Sequence, residues 1–392
     1  MKLTKEKSFF GLPIYRKYRS STKLRRTFLL GMLSENTIFN ISGEIKKQFF
    51  LMGMLVLERR LTKTNISWLL WGKVTIKELS LPNWLNEELN LIFSNVEIQP
   101  RNGRKHVFIF WANSGEIAVL LQYFWVGLLK SKGIKAESEF VVLCTKQYHS
   151  DMLKLYNPAI QTCVKKPLVL RFLKGNMKTS EWDCTILFPG KYFAEFENLA
   201  ETGRTINYFT WMKNWLGIQP KSTNFNDSQV VLTEDKLRKK NVPQKNLIIL
   251  CTSSFSGYEV NPNLFRRIEE EFRCLGFSVY INETDVNSAD FLTYPEIYLL
   301  GRKSFMIIGV RSGLLDFLSS TKTPIVALYT GFPDRGFNTP EKKSEQVLSM
   351  FSLGNLPNRA SQCLELDVEK ASEDEILKRI IIFYSYIKKS KE

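Results

Sequence analysis

The stretch 304–329, Ser-Phe-Met-Ile-Ile-Gly-Val-Arg-Ser-Gly-Leu-Leu-Asp-Phe-Leu-Ser-Ser-Thr-Lys-Thr-Pro-Ile-Val-Ala-Leu-Tyr, holds the residue types best suited to gripping an anion. Its pattern is apolar strand, Ser-Gly turn, helix, Thr-Pro loop and second apolar strand. The first N–H groups of a helix have no partner inside it, so a helix start attracts negative charge. Ser312 adds a hydroxyl at that point, and Arg311 a guanidinium shaped for bidentate phosphate contact. The plainer alternative is an ordinary strand-to-helix turn with Ser312 as its N-cap.

Other chemistries are poorly served. Only two histidines, His106 and His149, occur in 392 residues, which argues against a His-rich metal site and against a Ser-His-Asp triad. The six cysteines (144, 163, 184, 251, 274, 363) form no CxxC pair. Most lie in apolar runs such as Ile248-Ile249-Leu250-Cys251, which reads as buried free thiols of a cytosolic protein. No Asp-x-Asp motif is present, and Asp183, Asp285, Asp290 and Asp334 are isolated, as solvated turn residues are. The start of the chain has no apolar signal core. The longest apolar run, 49–57, has nine residues, well under the roughly 20 that span a bilayer.

The elements that must position the Ser-Gly turn follow from the periodicity. From residue 105 apolar runs alternate with helical patterns. Strands are expected at 106–111, 140–144, 160–164 and 184–188, with helices at 116–132, 146–156 and 206–216. A polar stretch at 217–245 reads as a crossover between domains. A second series then follows: strands at 247–252, 277–281, 305–309 and 325–329, and helices at 263–275, 289–300 and 313–319. Residues 330–365 read as loop-rich, and 373–389 as a final helix capped by Ser372. Alternation of this kind implies parallel sheets with helices on both faces. Ligands of such sheets bind beyond the strand C-termini, so the expected site is the cleft between two lobes.

The first hundred residues differ. Apolar, aromatic-rich runs recur around Gly11, Gly31, Gly53 and Gly72, at spacings of 20, 22 and 19. Each unit is apolar, then Gly, then apolar, then basic, and reads as short β-segments that must pair or stack. A short amphipathic helix at 81–93 and a linker at 100–105 are expected to follow. Residues 1–105 carry 19 Lys/Arg, 8 Glu and no Asp, a net +11, whereas 106–392 carry 36 basic and 31 acidic residues, a net +5. The excess of the whole chain, +16, thus belongs mostly to this module, whose field attracts polyanions: nucleic acid, acidic polysaccharide or an anionic leaflet.

The segment around Gly309, Ser312, Gly313, Thr323 and Pro324 resembles the nucleotide-sugar motif of glycosyltransferases with the GT-B fold. It is most similar to the heptosyltransferase type and to transferases of capsule and other surface polysaccharides. Arg311, Leu314 and Asp316 stand where the heptosyltransferase pattern has Asp, Pro and His, so heptose is not implied. The resemblance covers 106–390. It implies two Rossmann-like doubly wound domains (GT-B), an acceptor domain at 105–220 and a nucleotide-sugar domain at 246–371. These are joined by a linker at 221–245, preceded by the small β-rich repeat module at 1–104 and followed by a C-terminal helix at 372–392.

In the same resemblance, Trp111-Ala-Asn-Ser-Gly-Glu116 occupies the place of the family's catalytic turn, with Glu116 at its base position. An inverting transfer needs a carboxylate to take the acceptor hydroxyl proton. The plainer alternative is a first-turn Glu favoured by the helix dipole. Ser253 and Ser254 resemble the polar loop that touches donor phosphates; the basic residue of that loop is missing, with Arg266, Arg267 or Arg311 as substitutes. Arg311, Ser312, Gly313 and Asp316 would hold the donor, and Tyr329 would line its pocket. No metal and no cofactor beyond the nucleotide-sugar co-substrate are implied, since cations and a helix dipole can stabilise the departing diphosphate.

The reading is therefore a metal-independent glycosyltransferase extending a bacterial surface glycan, cytoplasmic and peripheral on the inner membrane face. Its acceptor would be lipid-linked or an oligosaccharide. The competing readings are a nucleic-acid-binding protein or a non-catalytic assembly subunit, each using the basic module.

Overall fold

The computed structural model of the chain describes residues 2–80 apart from 10–11, 20–22, 29–31, 40–44, 53, 62–64 and 71–73. It further describes 105–110, 114–165, 182–187, 207–223, 246–254, 257–282, 292–333, 341–357 and 362–391, with isolated positions 87, 170, 225 and 359. The expected helix at 81–93 and linker at 100–105 lie almost wholly outside these residues. The chain divides into two compact units, Met1–Asn95 and Val96–Glu392.

The first unit is one antiparallel sheet of eight strands in sequence order. They are β1 (Lys2–Phe9), β2 (Leu12–Arg19), β3 (Lys23–Phe28), β4 (Leu33–Phe39), β5 (Ile45–Leu51), β6 (Met54–Leu61), β7 (Asn65–Leu70) and β8 (Val74–Ser80). Each roughly 20-residue repeat is thus one strand pair, and the repeats sit side by side rather than stacking.

The second unit carries two parallel sheets. The first has the order β11-β10-β9-β12 and the second β14-β13-β15-β16-β17. The first comprises β9 (Lys105–Phe110), β10 (Phe140–Cys144), β11 (Thr162–Val164) and β12 (Trp182–Leu187). Its main helix begins as α1 (Ser114–Val119), passes through a π-helical turn (Leu120–Phe124) and continues as α2 (Trp125–Ser131). Then come α3 (Gln147–Tyr156) and α4 (Tyr208–Leu216). Asn207 caps α4 by accepting from Thr210 N at 2.8 Å.

The second sheet comprises β13 (Leu247–Cys251), β14 (Ser278–Ile281), β15 (Met306–Val310), β16 (Ile325–Tyr329) and β17 (Cys363–Asp367). Its helices are α5 (Pro262–Cys274), α6 (Tyr294–Lys303), α7 (Gly313–Leu318), α8 (Ser344–Phe351) and α9 (Glu373–Lys391). Helix α6 starts on Thr293 with Pro295 in its first turn, and Glu296 Oε2 accepts from Thr293 N at 2.7 Å. The central strands β10, β13, β15 and β16 are buried along their whole length, as a parallel sheet covered on both faces requires.

Three details depart from the sequence reading. The loop-rich stretch 330–365 also holds α8 and the start of β17, two elements the sequence reading did not place. Helix α8 opens on Lys343 rather than a Ser, Thr, Asp or Asn cap, and β17 is a half-buried edge strand with two carboxylates. The crossover is not purely polar: Phe225 is buried and packs on Tyr156, Tyr298 and Phe317 at centroid distances of 6.0, 5.5 and 5.3 Å. All six cysteines are free, and Cys274 is exposed rather than buried.

The π turn loosens the helix ladder, and the crossover satisfies the carbonyls so released. Thr223 N and Oγ1 donate to Gln122 O at 2.7 and 2.9 Å, and Lys221 N donates to Tyr123 O at 2.8 Å. The segment linking the lobes is thereby fastened to the helix that starts the first of them.

Candidate active site

Each parallel sheet reverses its strand order once. The first does so between β9 and β12, the second between β13 and β15. Crevices form beyond the strand C-termini at such points. Strand β9 leads into α1 and Glu116. Strand β13 leads to Ser253 and Ser254, and β15 to Arg311-Ser312-Gly313. The two sequence motifs therefore occupy the two reversal points.

The starts of α1 and α7 touch. A Cβ added to Gly115 would lie 3.0 Å from Gly313 Cα and would also strike the Asp316 carboxylate. A Cβ added to Gly313 would lie 2.6 Å from Gly115 N. No side chain fits at either position while the helices remain in this contact.

Glu116 lies in the first turn of α1 and is 7% exposed. Nearby, Tyr148 of α3 stacks on Tyr294 of α6, joining the two lobes with ring centroids 5.2 Å apart. The Tyr294 hydroxyl shares a hydrogen bond with Ser114, the residue that opens α1. Burial raises the Tyr148 phenol above its usual range, and the Glu116 charge raises it further. Glu116 thus acts electrically on the aromatic pair that bridges the lobes.

On the facing turn, Arg311 engages all three guanidinium nitrogens within the protein. Nε donates to Phe351 O at 2.9 Å, one terminal nitrogen to Ser312 O at 2.8 Å and the other to Asp316 Oδ1 at 2.7 Å. Both side chains of the Arg311–Asp316 pair are 7% exposed. Burial works against the guanidinium charge, but Asp316, with Tyr329 and Glu365, outweighs it and holds Arg311 above its ordinary value, while burial raises the Asp316 carboxyl against the pull of Arg311. Ser312 occupies the N-cap position in an extended conformation, yet its side chain makes no capping bond. Its Oγ is buried without a hydrogen-bond partner among the described residues.

The other expected donor residues are placed differently. Ser253 is exposed, while Ser254 is half-buried and its Oγ accepts from Gly257 N at 3.4 Å. Their loop joins the end of β16, because Thr330 Oγ1 donates to Tyr258 O at 3.1 Å and Tyr258 N to Gly331 O at 2.9 Å. Tyr329 is wholly buried; its hydroxyl lies 3.1 Å from Phe351 O and accepts from Leu353 N at 3.2 Å. It anchors the segment after α8 from inside the core. Arg266 and Arg267 are engaged elsewhere, with Glu270 on their own helix and with Glu373 and Asp374 on α9.

Sequence reasoning missed the Tyr148–Tyr294 bridge, the Gly115–Gly313 contact and the π turn. Each joins residues distant in sequence or breaks the 3.6 period without a Gly or Pro to announce it.

His149 follows Tyr148 and is fully buried, with Nδ1 3.4 Å from Thr145 Oγ1. Burial, helped by Lys146, lowers its pKa from 6.5 to about 3. The fold therefore favours neutral imidazole, and this contribution is present above pH ~6.5 and lost as pH falls toward 3. At pH 5 the loss should be on the order of 2 kcal/mol. Denaturant unfolding at pH 7 and pH 5 checks this: His149→Gln should flatten the difference, and an unchanged difference would refute the assignment.

No protein-family model matches the chain, and no curated protein matches it either. Solved structures do. An iron-containing dodecameric glycosyltransferase, TibC from enterotoxigenic E. coli, is 14% identical, with 82% of this chain and 77% of that one covered and a TM-score of 0.39. A glycosyl transferase family 9 protein from Veillonella parvula is 12% identical, covering 72% and 97%, with a TM-score of 0.44. The E. coli ADP-heptose LPS heptosyltransferase II is 9% identical, covering 72% and 99%, with a TM-score of 0.41. The structural neighbours are thus glycosyltransferases, heptosyltransferases among them. At these identities and TM-scores, donor, acceptor and chemistry must be argued from this chain's own residues.

The comparison corrects one expectation. The resemblance implies an enzyme with no metal or cofactor, yet TibC is described as iron-containing. Freedom from metal does not follow from this type of resemblance. The described residues nevertheless do not fit such a centre, because no three His, Cys, Asp or Glu side chains among them converge.

Proposed function

We propose that the chain is a glycosyltransferase that moves a sugar from a nucleotide-sugar donor to a growing bacterial surface glycan, with inversion at the anomeric carbon. The observation that carries this reading is the meeting of two helix starts, each at the reversal point of its own sheet, with Glu116 on one and Ser312 on the other. Glu116 takes the proton of the acceptor hydroxyl as its oxygen attacks the anomeric carbon. The bond from that carbon to the diphosphate oxygen breaks, and the nucleoside diphosphate leaves with the electron pair. Its developing charge is met by the Arg311–Gly313 turn, where the Ser312 hydroxyl is buried and uncommitted. Ser253 and Ser254, on the adjacent strand end, reach the same phosphates, and Asp316 holds Arg311 in place.

Because the helix starts are in contact, donor binding requires the lobes to part there. The acceptor in this reading is a lipid-linked glycan at the inner face of the membrane, and the basic module 1–104 docks the enzyme on that anionic surface. Among the described residues no helix is long and apolar enough to cross a membrane. A thermal-shift panel of UDP-, GDP-, CMP- and ADP-sugars tests the reading, with stabilisation by one of them as the expected outcome.

A further inference from the structure

The eight-stranded sheet has two dissimilar ends. In an antiparallel meander the connections after β1, β3, β5 and β7 fall at one end of the strands, and those after β2, β4 and β6 at the other. By sequence the first set is apolar and centred on glycine: Phe10-Gly11, Leu29-Leu30-Gly31, Gly53 and Trp71-Gly72-Lys73. The second set is mostly polar: Ser20-Ser21-Thr22, Asn40-Ile41-Ser42-Gly43-Glu44 and Thr62-Lys63-Thr64.

The described residues show the consequence. Met32, Leu33, Phe49, Leu51, Met52, Met54 and Val74 are the large apolar residues exposed in this unit, at 38–70%, and all lie toward the first end. The pairing register lines up Phe28, Leu33, Leu51 and Met54 across four strands, one step from the connections. Met52 N donates to Met32 O, tying two neighbouring tips together. Met52 and Met54 are 70% and 68% exposed, an arrangement unfavourable in water unless something covers it.

Behind this row the sheet is basic. Lys47 stands directly opposite Arg59, and Lys46 opposite Arg60. Like charges directly opposite one another weaken a sheet, and buried Glu58 offsets part of this charge by pairing with Arg60 beside Lys46. Glu35 offsets part of the charge, with Arg26 at 3.5 Å and Lys47 at 3.4 Å. Residues 1–80 hold 16 Lys/Arg and 5 Glu, a net +11.

We infer that this strand end is a bilayer-insertion edge, with the row Met32, Leu33, Leu51, Met52, Met54 and Val74 entering the acyl boundary while Lys47 and Arg59 contact anionic headgroups. An apolar row backed by cations matches an anionic membrane surface, in which shallow apolar insertion and headgroup attraction add. The inference rests on the docking role given above to residues 1–104, and it assigns that role to one end of the sheet.

Co-sedimentation of the full chain with vesicles tests it, without nucleotide or sugar, so the outcome is separate from the donor reading. Wild type should bind vesicles containing phosphatidylglycerol and not pure phosphatidylcholine. Met52→Glu with Met54→Glu should weaken binding by about tenfold or more. Lys47→Glu with Arg59→Glu should remove most of its salt dependence. The milder Met52→Ser with Met54→Ser gives the same ordering if the glutamates disturb folding, which circular dichroism reports. Failure of wild type to bind would overturn the proposal. So would unchanged binding by the tip variants, or a tip variant that only dissociates an oligomer, which would make a second copy of the chain the occupant.

Discussion

Replacing Glu116 with Gln should lower sugar transfer by about three orders of magnitude while leaving donor affinity within about twofold, since a positioned general base contributes roughly 10²–10⁴ to a rate. The substitution keeps the size and hydrogen-bonding reach of the side chain and removes only its basicity. Glu116 is the one acidic residue in the first turn of α1, so no other carboxylate on that turn can take over. Release of nucleoside diphosphate in the presence of acceptor, followed beside donor titration, separates chemistry from binding. Unchanged turnover would remove Glu116 from the mechanism and leave it as a helix-start residue favoured by the dipole.

The second large effect is on stability. Arg311→Leu should cost about 3–5 kcal/mol, because it leaves the Asp316 carboxylate buried without its counter-charge. It also removes one donor from Phe351 O and one from Ser312 O. The double substitution Arg311→Leu with Asp316→Leu should recover a large part of that loss, because it removes the stranded charge. A double-mutant cycle by denaturant unfolding measures this. If the single change costs under about 1 kcal/mol, the pair is not buried as described.

The sequence is legible where one segment suffices to determine an element. Strands β10, β13, β15 and β16 are continuous apolar runs, and their alternation with helices is enough to imply two parallel sheets. The glycine-centred repeat likewise becomes strand pairs of one meander. Strand β17 escapes because it is short, acidic and only half-buried at a sheet edge, and α8 because no Ser, Thr, Asp or Asn precedes it. In sequence Phe225 is one apolar residue in a polar crossover; only the assembled lobes supply the Tyr156, Tyr298 and Phe317 rings around it.

The candidate site divides in the same way. The Ser-Gly turn and Glu116 can be found as strand-to-helix junctions. The Gly115–Gly313 contact cannot, because each glycine is explained only by the other lobe. Arg311 illustrates the limit of motif reasoning: the guanidinium expected to grip phosphate is engaged with Asp316 and Phe351 O. Ser312 Oγ and the nearby backbone are left as the direct contacts.

Thermal unfolding of the full chain with each of the UDP-, GDP-, CMP- and ADP-sugars tests the glycosyltransferase assignment most directly. A donor present at about 100 times its dissociation constant stabilises the folded state by roughly 2.7 kcal/mol, a shift of several degrees. The expected result is such a shift with one nucleotide class. Stabilisation by none of them, together with tight, salt-sensitive binding to RNA, would contradict the assignment and make the basic module the functional centre of the protein.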